Sequence, residues 1–349
     1  MKKIFRLIAI RIYKKQYNLL RGRLLVEYEL VKGDNTNSLN MLSKLLITGE
    51  DHRFYYHIGF DIIAIFRAIR NRMFYNKIEG ASTIEQQLVR VLTNNFERTF
   101  KRKIQEIFLA TTITSFIPKN AIPKIYLNVA YYGTGMDGLS QACLKLGITD
   151  RETISIEQAA EIVSMIKYPR PQKLIQKRLA QIQARKQHLI RLYNKQEFFN
   201  KYADNIVKST VGTSLFPSVV MAQMIIASGW GNKSIGNNYF GIKATGKTNE
   251  YWKGETKETL STEYYNNLKS NISTSFRDYD DPIDSIRDHN LLLSNERYNA
   301  VHLAQTPRQQ AQAIFNAGYA TDPKYVDSIM SIINTNNLTE LDKQKILIS

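Results

Sequence analysis

The stretch EDHRFYYHIGF, residues 50–60, decides how the rest of the chain is interpreted. It places adjacent carboxylates, histidines and aromatic rings directly before an apolar run at residues 62–66. A surface helix has no need of so many aromatic residues, and a core helix has no place for so many ionisable groups. The mixture suits the wall of a cleft, where partial burial tunes a carboxylate for proton transfer. A helix end with an acidic turn beside an aromatic core edge is an equally good interpretation of this stretch alone.

Length and composition predict packed globular domains. The 349 residues are enough for two domains of ordinary size, and 43% hydrophobic with 11% aromatic content argues against disorder. The net charge of +17 predicts a polyanionic partner: nucleic acid, an anionic membrane surface, or a phosphorylated or acidic polymer. The single cysteine, Cys143, excludes an intrachain disulfide.

The first 30 residues are basic and partly amphipathic. No acidic residue occurs before Glu27, and the longest unbroken apolar run is Leu7 to Ile10. A membrane-spanning helix needs about 20 apolar residues and a signal-peptide core about 7–15, so neither is expected here. The segment is predicted either to lie on an anionic bilayer surface or to pack as a basic arm on its own domain.

Two further motifs follow. In GASTIEQQL, residues 80–88, Ser82 and Glu85 have the spacing of a capping box, which predicts a helix start. Ser82, Gln86 and Arg90 then share one helix face, and this set of hydroxyl, amide and guanidinium suits a phosphate or sugar site. A capped, solvated helix is the alternative. In KRKIQE, residues 101–106, the four-residue spacing of the arginine and the glutamate also fits a surface ion pair.

Together these motifs identify a resemblance. Residues 40–192 resemble the family 51 glycosyltransferases, the peptidoglycan polymerases of penicillin-binding proteins and monofunctional transglycosylases. The matching positions are Glu50, Asp51, Phe54, His57 and Gly59 in the first motif; Gly80, Ser82, Thr83, Ile84, Gln86 and Gln87 in the second; Arg102, Lys103 and Glu106 in the third; Tyr126, Leu127 and Asn128 in the fourth; and Arg185, Lys186, Leu189 and Ile190 in the fifth. The fourth motif departs from the family pattern, since Lys124 stands where the family has Glu and Pro123 precedes it.

The resemblance implies polymerisation of lipid II with inversion, in which a sugar 4-hydroxyl displaces a lipid pyrophosphate to form a β-1,4 bond. Glu50 would be the general base that this weakly acidic hydroxyl needs, and Glu106 would be the second carboxylate. Cations would stabilise the departing pyrophosphate. The expected substrate-binding residues are Asp51, Phe54, His57, Arg67, Ser82, Thr83, Gln86, Gln87, Arg90, Arg98, Arg102, Lys103 and Asn128. No cofactor is expected to be required, although magnesium or manganese could assist at the pyrophosphate.

Residues 214–335 resemble the family 73 glucosaminidases, peptidoglycan hydrolases with a lysozyme-like α lobe and a β-hairpin lobe. The resemblance rests on Ser228 to Gly231, Asn238, Phe240 to Lys243, Trp252, Thr262 to Tyr264, Phe276, Arg277, Tyr279, Asp288, His289 and Gly318 to Pro323. Ala227 stands where the family has its catalytic Glu, directly before Ser-Gly-Trp-Gly. Loss of a general acid costs about 10²–10⁴ in rate.

Three interpretations of Ala227 follow: a domain that holds glycan without hydrolysis, weak cleavage by Glu263 with help from the substrate's N-acetyl group, or an introduced substitution. The first interpretation is favoured, and in it Tyr239, Trp252 and Tyr319 stack on sugar faces, whereas in the alternative these three are ordinary half-buried aromatics. Trp230 and Tyr279 are further candidate site residues of this domain.

The sequence thus predicts a mainly α protein with two lysozyme-like domains, the second with a small β-hairpin lobe. The expected organisation is a basic segment at 1–30, a glycosyltransferase domain at 31–195, a linker at 196–212 and a glucosaminidase-like domain at 213–340. Lipid II, glycan strands and an anionic membrane surface on the periplasmic side of the cell envelope are the expected partners. No nucleic-acid motif accompanies the charge. The alternatives are a peptidoglycan hydrolase using Glu263 and a non-catalytic cell-wall-binding protein.

Overall fold

The computed structural model describes residues 2–77, 80–173, 175–265 and 268–348, without the side chains of residues 2 and 261–271. The chain divides into two compact units, Met1–Tyr193 and Asn194–Ser349. The predicted fold class, mainly α with one small β-hairpin lobe in the second part, is confirmed. In the described part of the chain, no helix combines the length and apolar character needed to cross a bilayer.

The first unit is built from α-helices. They are α1 (Lys2–Ile12), α2 (Lys14–Val31), α3 (Asn37–Glu50), α4 (Ile62–Tyr75), α5 (Ile84–Thr93), α6 (Phe100–Ala110), α7 (Ala121–Val129), α8 (Leu139–Lys145), α9 (Ile156–Lys167) and the start of α10 (Gln176–Thr210), with 3-10 turns at Phe54–Tyr56 and Ile113–Ser115. In α3, the apolar residues at helical spacing (Leu39, Leu42, Leu45 and Leu46) are all buried in the core, which fixes this helix in the centre of the unit.

The basic N-terminal segment packs on its own unit. Tyr17, Leu20 and Leu24 of α2 are buried in the core cluster. In α1, the ring of Phe5 stacks on Phe60 with centroids 5.5 Å apart. The second of the two predicted arrangements, a basic arm packed on its own domain, therefore describes these helices.

The second unit contains the end of α10, a hairpin and further helices. They are α11 (Pro217–Ser228), β1 (Thr256–Tyr265), β2 (Leu268–Arg277), α12 (Pro282–Leu293), α13 (Pro307–Asn316), α14 (Tyr325–Thr335) and α15 (Thr339–Ile348), with a 3-10 segment at Glu296–Leu303. The strands are antiparallel, with Thr256 opposite Arg277 and Tyr265 opposite Leu268.

The region predicted as a linker, 196–212, differs from that expectation. It is helical as far as Thr210, and Phe198, Tyr202 and Ile206 are buried in the core of the second unit. The polar residues between these apolar ones lie at the solvated face of the helix. Because they outnumber the apolar residues, the segment is polar on average, and its composition alone suggested a linker. The division between the units lies earlier, at residues 193 and 194.

Candidate active site

Glu50 is the last residue of α3, and the helix ends there because Asp51 leaves helical backbone geometry with φ −156°. Its Oε1 lies 2.9 Å from Nη2 of Arg185 in α10, and the Glu50 side chain is 16% exposed. The same Arg185 nitrogen donates to the Gly49 carbonyl. Glu50 is thus a largely buried carboxylate with a guanidinium partner at the end of a helix.

Gly49 makes this approach possible. A Cβ atom at this position would overlap Leu189 of α10 and lie 3.0 Å from the Arg185 guanidinium. The absence of a side chain therefore allows the fifth-motif residues to reach the end of α3.

Asp51 and His57 connect the end of α3 to the start of α5. The Asp51 carboxylate accepts from Nε2 of His57 at 3.0 Å and from the Ile84 backbone N–H at 3.0 Å. The Gly59 N–H donates to Nδ1 of His57 at 3.2 Å, so the arrangement fits a neutral imidazole protonated at Nε2. The structure therefore assigns internal partners to these two predicted substrate-binding residues.

Phe54 and Thr83 also have internal partners. Phe54 is fully buried, and its ring meets His57 edge-on. The Thr83 hydroxyl donates to the Gly59 carbonyl at 2.7 Å. Gly59 has φ +119°, and a Cβ atom there would lie 2.7 Å from the Ala110 backbone, so this turn requires glycine. These contacts hold the walls of the site in place.

The capping box of α5 is shifted by one residue from the prediction. Thr83 is the N-cap: its hydroxyl accepts from the Gln86 N–H and the Gln86 side chain accepts from the Thr83 N–H, both at 3.3 Å. The Ser82–Glu85 pairing was wrong, because Thr83 offers the same capping chemistry one position later. Ser82 is consequently available for other contacts, and Glu85 points into the protein, fully buried.

Glu106 gathers three cations. This carboxylate is 2% exposed, and it lies 2.9 Å from Nε of Arg90, 3.5 Å from Nζ of Lys103, and in contact with Arg102. The four-residue pair of Arg102 and Glu106 is therefore largely buried rather than a surface ion pair. One carboxylate among three cations leaves a net positive charge at this place.

Lys103 extends this cluster to the second motif. Its ammonium group donates to Oγ of Ser82 and to Oε1 of Gln86, both at 2.8 Å. Burial lowers the pKa of Lys103, while the charge of Glu106 opposes the shift. The structure thus brings together the hydroxyl, amide and cationic groups of the predicted face, and this combination suits phosphate oxygens. We call Ser82, Gln86, Arg90, Arg102, Lys103 and Glu106 the cation cluster.

Tyr126 is a buried tyrosine whose pKa is affected by the charges of both Glu50 and Arg90. Its hydroxyl donates to Oε1 of Gln87 at 2.7 Å. Burial and then the negative charge of Glu50 raise the pKa of Tyr126, whereas the positive charge of Arg90 lowers it. Both charges therefore act on one buried hydroxyl group.

Other predicted residues lie apart from the cluster contacts. Asn128 donates to Glu27 of α2 at 2.8 Å, and Arg98 is exposed between α5 and α6. Arg67 lies near His52, whose pKa is lowered by burial and then by the charge of Arg67. The unusual Lys124 donates to the Asp34 carbonyl at 2.7 Å, in the turn before α3.

Lys119 was missed by sequence reasoning. Its ammonium pairs with Glu85, donates to the His57 carbonyl at 3.0 Å and lies 4.3 Å from the centroid of the Phe54 ring. Burial raises the pKa of Glu85, while Lys119 opposes this shift. A buried acidic partner would have pointed to Lys119, but Glu85 was interpreted as a capping residue at the surface of the helix start.

The described residues contain one group that could hold a metal ion: Asp51, His57 and Glu85, whose ligand atoms lie within 4.8 Å of one another. Asp51 already accepts from the Ile84 N–H, and Oε1 of Glu85 pairs with the Lys119 ammonium, whereas the buried Oε2 of Glu85 has no hydrogen-bond partner among the described residues. The Lys119 ammonium thus already supplies a positive charge beside this group.

In the second unit, Ala227 lies exposed near the end of α11. Glu263 lies on β1 opposite Ser270, and its side chain is outside the described residues. Trp230 and Tyr239 line an open groove. The position at which the family resemblance expects a catalytic acid is therefore an accessible methyl group.

The remaining predicted aromatics have internal roles. Trp252 donates to the Glu255 carbonyl at 2.7 Å and stacks under the Arg277 guanidinium. Tyr279 is buried and donates to Asp288 at 2.6 Å, and Tyr319 reaches the Phe240 carbonyl at 3.4 Å. The structural alternative therefore describes Trp252 and Tyr319, and Tyr279 likewise has an internal partner.

Comparisons with known proteins divide the chain in the same way. A family model described as "Transglycosylase" matches residues 29–205, just over half of the chain. A second, described as "Mannosyl-glycoprotein endo-beta-N-acetylglucosaminidase", matches residues 203–338.

Curated relatives match either part. The first part is similar to the biosynthetic peptidoglycan transglycosylase of Thiobacillus denitrificans, with 36% identity over 38% of this chain and 57% of the relative. It is also similar to penicillin-binding protein 1A of Rickettsia bellii, with 33% identity over 52% of this chain and 23% of the relative.

The second part is similar to peptidoglycan hydrolase FlgJ of Salmonella typhimurium, with 39% identity over 33% of this chain and 38% of the relative. A solved glycoside hydrolase domain of that protein matches 41% of this chain and 97% of its own length, with 32% identity and a TM-score of 0.34. The chain spans less than two thirds of each of these three curated relatives. By the match over residues 29–205, the chain belongs to the transglycosylase family, and it carries a glucosaminidase-family domain in its C-terminal part.

Proposed function

We propose that the chain is a peptidoglycan glycosyltransferase that polymerises lipid II into β-1,4 glycan strands by inverting displacement of the lipid pyrophosphate. The observation that carries this proposal is the cation cluster, in which one buried carboxylate, Glu106, gathers Arg90, Arg102 and Lys103 beside a hydroxyl and an amide. Such a group suits a dianionic leaving group rather than a neutral sugar.

Glu50 is the general base of this reaction. The attacking sugar hydroxyl has a pKa far above 7, so it needs a positioned carboxylate to accept its proton as it attacks. Arg185 donates to Oε1 of Glu50 at 2.9 Å, so this oxygen already has a partner. In this arrangement Oε2 takes the proton.

The cation cluster stabilises the leaving pyrophosphate. Negative charge grows on the bridging oxygen as the sugar–oxygen bond breaks, and fixed cations already aimed at that oxygen lower the barrier. Lys103 and the guanidinium groups bind the phosphate oxygens, and Ser82 and Gln86 supply the neutral contacts. Glu106 acts as a positioning residue that holds the cations together. The step uses no resident cofactor, and a magnesium or manganese ion at the pyrophosphate would arrive with the substrate.

An anionic membrane surface is the proposed partner of α4. This helix exposes a continuous set of large apolar side chains, with Phe66 at 68% and Phe74 at 75% exposure, between the basic residues Arg67, Arg70 and Arg72. An apolar face flanked by arginines favours the interface of a bilayer with acidic headgroups. The lipid-linked substrate would be presented there, at the periplasmic side of the cell envelope.

The glucosaminidase-like domain is proposed to hold glycan without cleaving it. Ala227 cannot donate a proton to the leaving oxygen, and a single carboxylate at Glu263 cannot supply the pair that glycoside hydrolysis normally uses. Retention of a nascent strand is a function that such a domain can keep after the acid is lost.

The first experiment compares purified full-length chain and its Glu50→Gln variant for polymer formation from lipid II in several detergents. Glu157→Gln, a change at an exposed glutamate of α9, is the matched control. Polymer from the wild type and the control, but not from Glu50→Gln, is the expected result. Failure of the wild type in every detergent would reject the polymerase and favour a non-catalytic cell-wall-binding protein.

The second experiment digests purified sacculi with the chain and measures new reducing ends. No release is expected. Release that the Glu263→Gln variant abolishes would instead establish the hydrolase alternative.

A further inference from the structure

A continuous set of internal contacts connects the residue after Glu50 with the start of α5. Asp51 accepts from Nε2 of His57 at 3.0 Å. The His57 carbonyl accepts from the Lys119 ammonium at 3.0 Å, and the same ammonium pairs with Glu85 in the first turn of α5. We call Asp51, His57, Lys119 and Glu85 the buried bridge.

The buried bridge is closed by the backbone of α5. The N–H of Ile84, the residue before Glu85, donates to Oδ2 of Asp51 at 3.0 Å. The contacts therefore return to the residue from which they started, and all of them must shift together if one opens. One side of the bridge directly follows Glu50 in the chain, and the other directly precedes Gln86 of the cation cluster. The bridge thus links the segments that hold the proposed base and the proposed phosphate-binding groups.

Lys119 contacts the bridge from the turn before α7. Its ammonium also lies 4.3 Å from the centroid of the fully buried Phe54 ring, a cation–π contact that fixes the direction of the side chain. Phe54 belongs to the 3-10 turn that follows the end of α3. A single cation therefore holds residues 54–57 against the start of α5.

Stability alone does not explain the pair of Glu85 and Lys119. Glu85 is fully buried, and its Oε2 has no hydrogen-bond partner in the described part of the chain. Burial raises the pKa of Glu85, while the charge of Lys119 opposes the shift. A buried ion pair with an unsatisfied oxygen gains little over apolar side chains of the same volume. What a directional pair adds is a preference for one arrangement of the segments that it joins.

We propose that Glu85 and Lys119 are positioning residues that set the place of Glu50 relative to the cation cluster during glycosyl transfer. They act through Asp51 on the base and through the start of α5 on Gln86. Glu85 has no exposed surface and the Lys119 ammonium is directed into the protein, so neither touches substrate. Neither residue is among the matched motif positions. The inference rests on the glycosyltransferase function proposed above.

The experiment measures steady-state polymerisation of lipid II by the full-length chain and by Glu85→Gln, Lys119→Met and the double variant. Each single change should lower kcat by about 10- to 100-fold, because a displacement of about 1 Å has a cost of that order. KM should stay within about twofold, because the two residues do not bind substrate. The double variant should have the kcat of a single variant rather than the product of both losses, since the bridge can be opened only once.

Stability, followed by urea unfolding and circular dichroism, separates positioning from folding. Lys119→Met leaves a buried carboxylate unpaired and should lower the unfolding midpoint. In the double variant that carboxylate is gone, so the midpoint should return towards the wild-type value while kcat stays low. Recovery of kcat together with stability would show that the pair is only structural. Glu85→Gln keeps the shape of the side chain and is the variant to rely on if Lys119→Met does not fold.

The matched control makes the same two substitutions at Glu29 and Lys32, a pair on α2 whose side chains are 62% and 51% exposed. It should change neither kcat nor the unfolding midpoint, because exposed pairs contribute little. Polymer from the wild type with unchanged kcat in folded Glu85→Gln overturns this inference alone, as does a rise in KM at constant kcat. No polymer from the wild type in any detergent overturns both this inference and the proposed function.

Discussion

Nη2 of Arg185 donates both to the Gly49 carbonyl and to Oε1 of Glu50, 2.9 Å away, and so joins α10 to the end of α3. A backbone carbonyl and the proposed base therefore share one guanidinium nitrogen. Because the Gly49 contact fixes the guanidinium, the Glu50 carboxylate has one preferred orientation. Arg185 acts on the reaction through Glu50, which makes it a positioning residue.

Replacing Arg185 by alanine should lower kcat for polymerisation by about 10²-fold, because displacement of a catalytic group by about 1 Å has a cost of that order. The KM for lipid II should change little, since Arg185 is not expected to touch substrate. Arg185→Lys should recover part of kcat, and Lys177→Ala, an exposed change on the same helix, should have no effect. Steady-state polymerisation kinetics would contradict this account if only KM changed.

Glu106→Gln should reduce both stability and polymerisation. Without the carboxylate, three neighbouring cations repel one another, and their arrangement around Ser82 and Gln86 is lost. The free energy of unfolding should fall by about 1–3 kcal/mol, less than for a fully buried pair because Arg90 and Lys103 are roughly a third exposed.

The double variant Glu106→Gln with Lys103→Met separates these effects. It should recover stability, since one repelling charge is removed, but not polymer formation, since Lys103 binds the pyrophosphate. Chemical denaturation and the lipid II assay measure the two properties. Recovery of activity together with stability would show that the cluster has only a structural role.

In the first unit, the spacing of apolar residues correctly predicted a helix where that helix buries its apolar face in the core. The apolar spacing of Leu39, Leu42, Leu45 and Leu46 predicted α3, and all four side chains are buried. The capping box failed by one residue because Ser82 and Thr83 offer the same hydroxyl, and the choice between them is made by the tertiary contact of Thr83 with Gly59.

Contacts between distant segments could not be predicted. Arg185 meets Glu50 across 135 residues, and Lys119 meets Glu85 across 34, so no local periodicity reports either pair. The long helix α10 hid its apolar stripe behind polar residues, which explains the expected linker at 196–212. In the second unit, sequence indicated aromatics but not which of them are enclosed, because enclosure depends on residues such as Arg277 and Asp288 that approach from other elements.

The departure in the fourth motif leads to a prediction about Lys124. Its ammonium donates to the Asp34 carbonyl at 2.7 Å and to Oδ1 of Asn35 at 3.0 Å. Lys124→Glu restores the family residue but places a carboxylate against these acceptors. The unfolding free energy of the first unit should fall by about 1 kcal/mol, and polymer formation should not rise above wild type.

Lys124→Met is the matched control, since it removes the donor without adding charge, and it should cost less than Lys124→Glu. Both tryptophans lie in the second unit, so tryptophan fluorescence follows the unfolding of that unit only. Circular dichroism follows the helices of both units, and the part of its change that fluorescence does not match is assigned to the first unit. A stabilised Lys124→Glu variant would show that the turn before α3 does not depend on this lysine.

His289 should make the second unit sensitive to mild acid. The imidazole is fully buried against Phe240, with ring centroids 4.0 Å apart, and its Nε2 has no hydrogen-bond partner in the described part of the chain. Burial lowers the pKa of His289 from 6.5 to about 4, while Asn290 and Asp288 oppose the shift. Above pH 6.5 the ring is neutral in both the folded and the unfolded chain, so in this range His289 does not lower the free energy of unfolding.

Below pH 6.5 the unfolded chain takes up a proton that the folded chain refuses until about pH 4, so stability falls as the pH drops through this window. At about 1.4 kcal/mol per pH unit, His289 should remove about 2 kcal/mol between pH 7 and pH 5. Urea unfolding followed by tryptophan fluorescence measures this in the second unit. In His289→Gln the loss between the two pH values should be smaller by that amount, because carboxylates elsewhere titrate equally in both proteins. An equal loss in both would mean that His289 is already protonated in the folded chain at pH 5, which its enclosed position against Phe240 argues against.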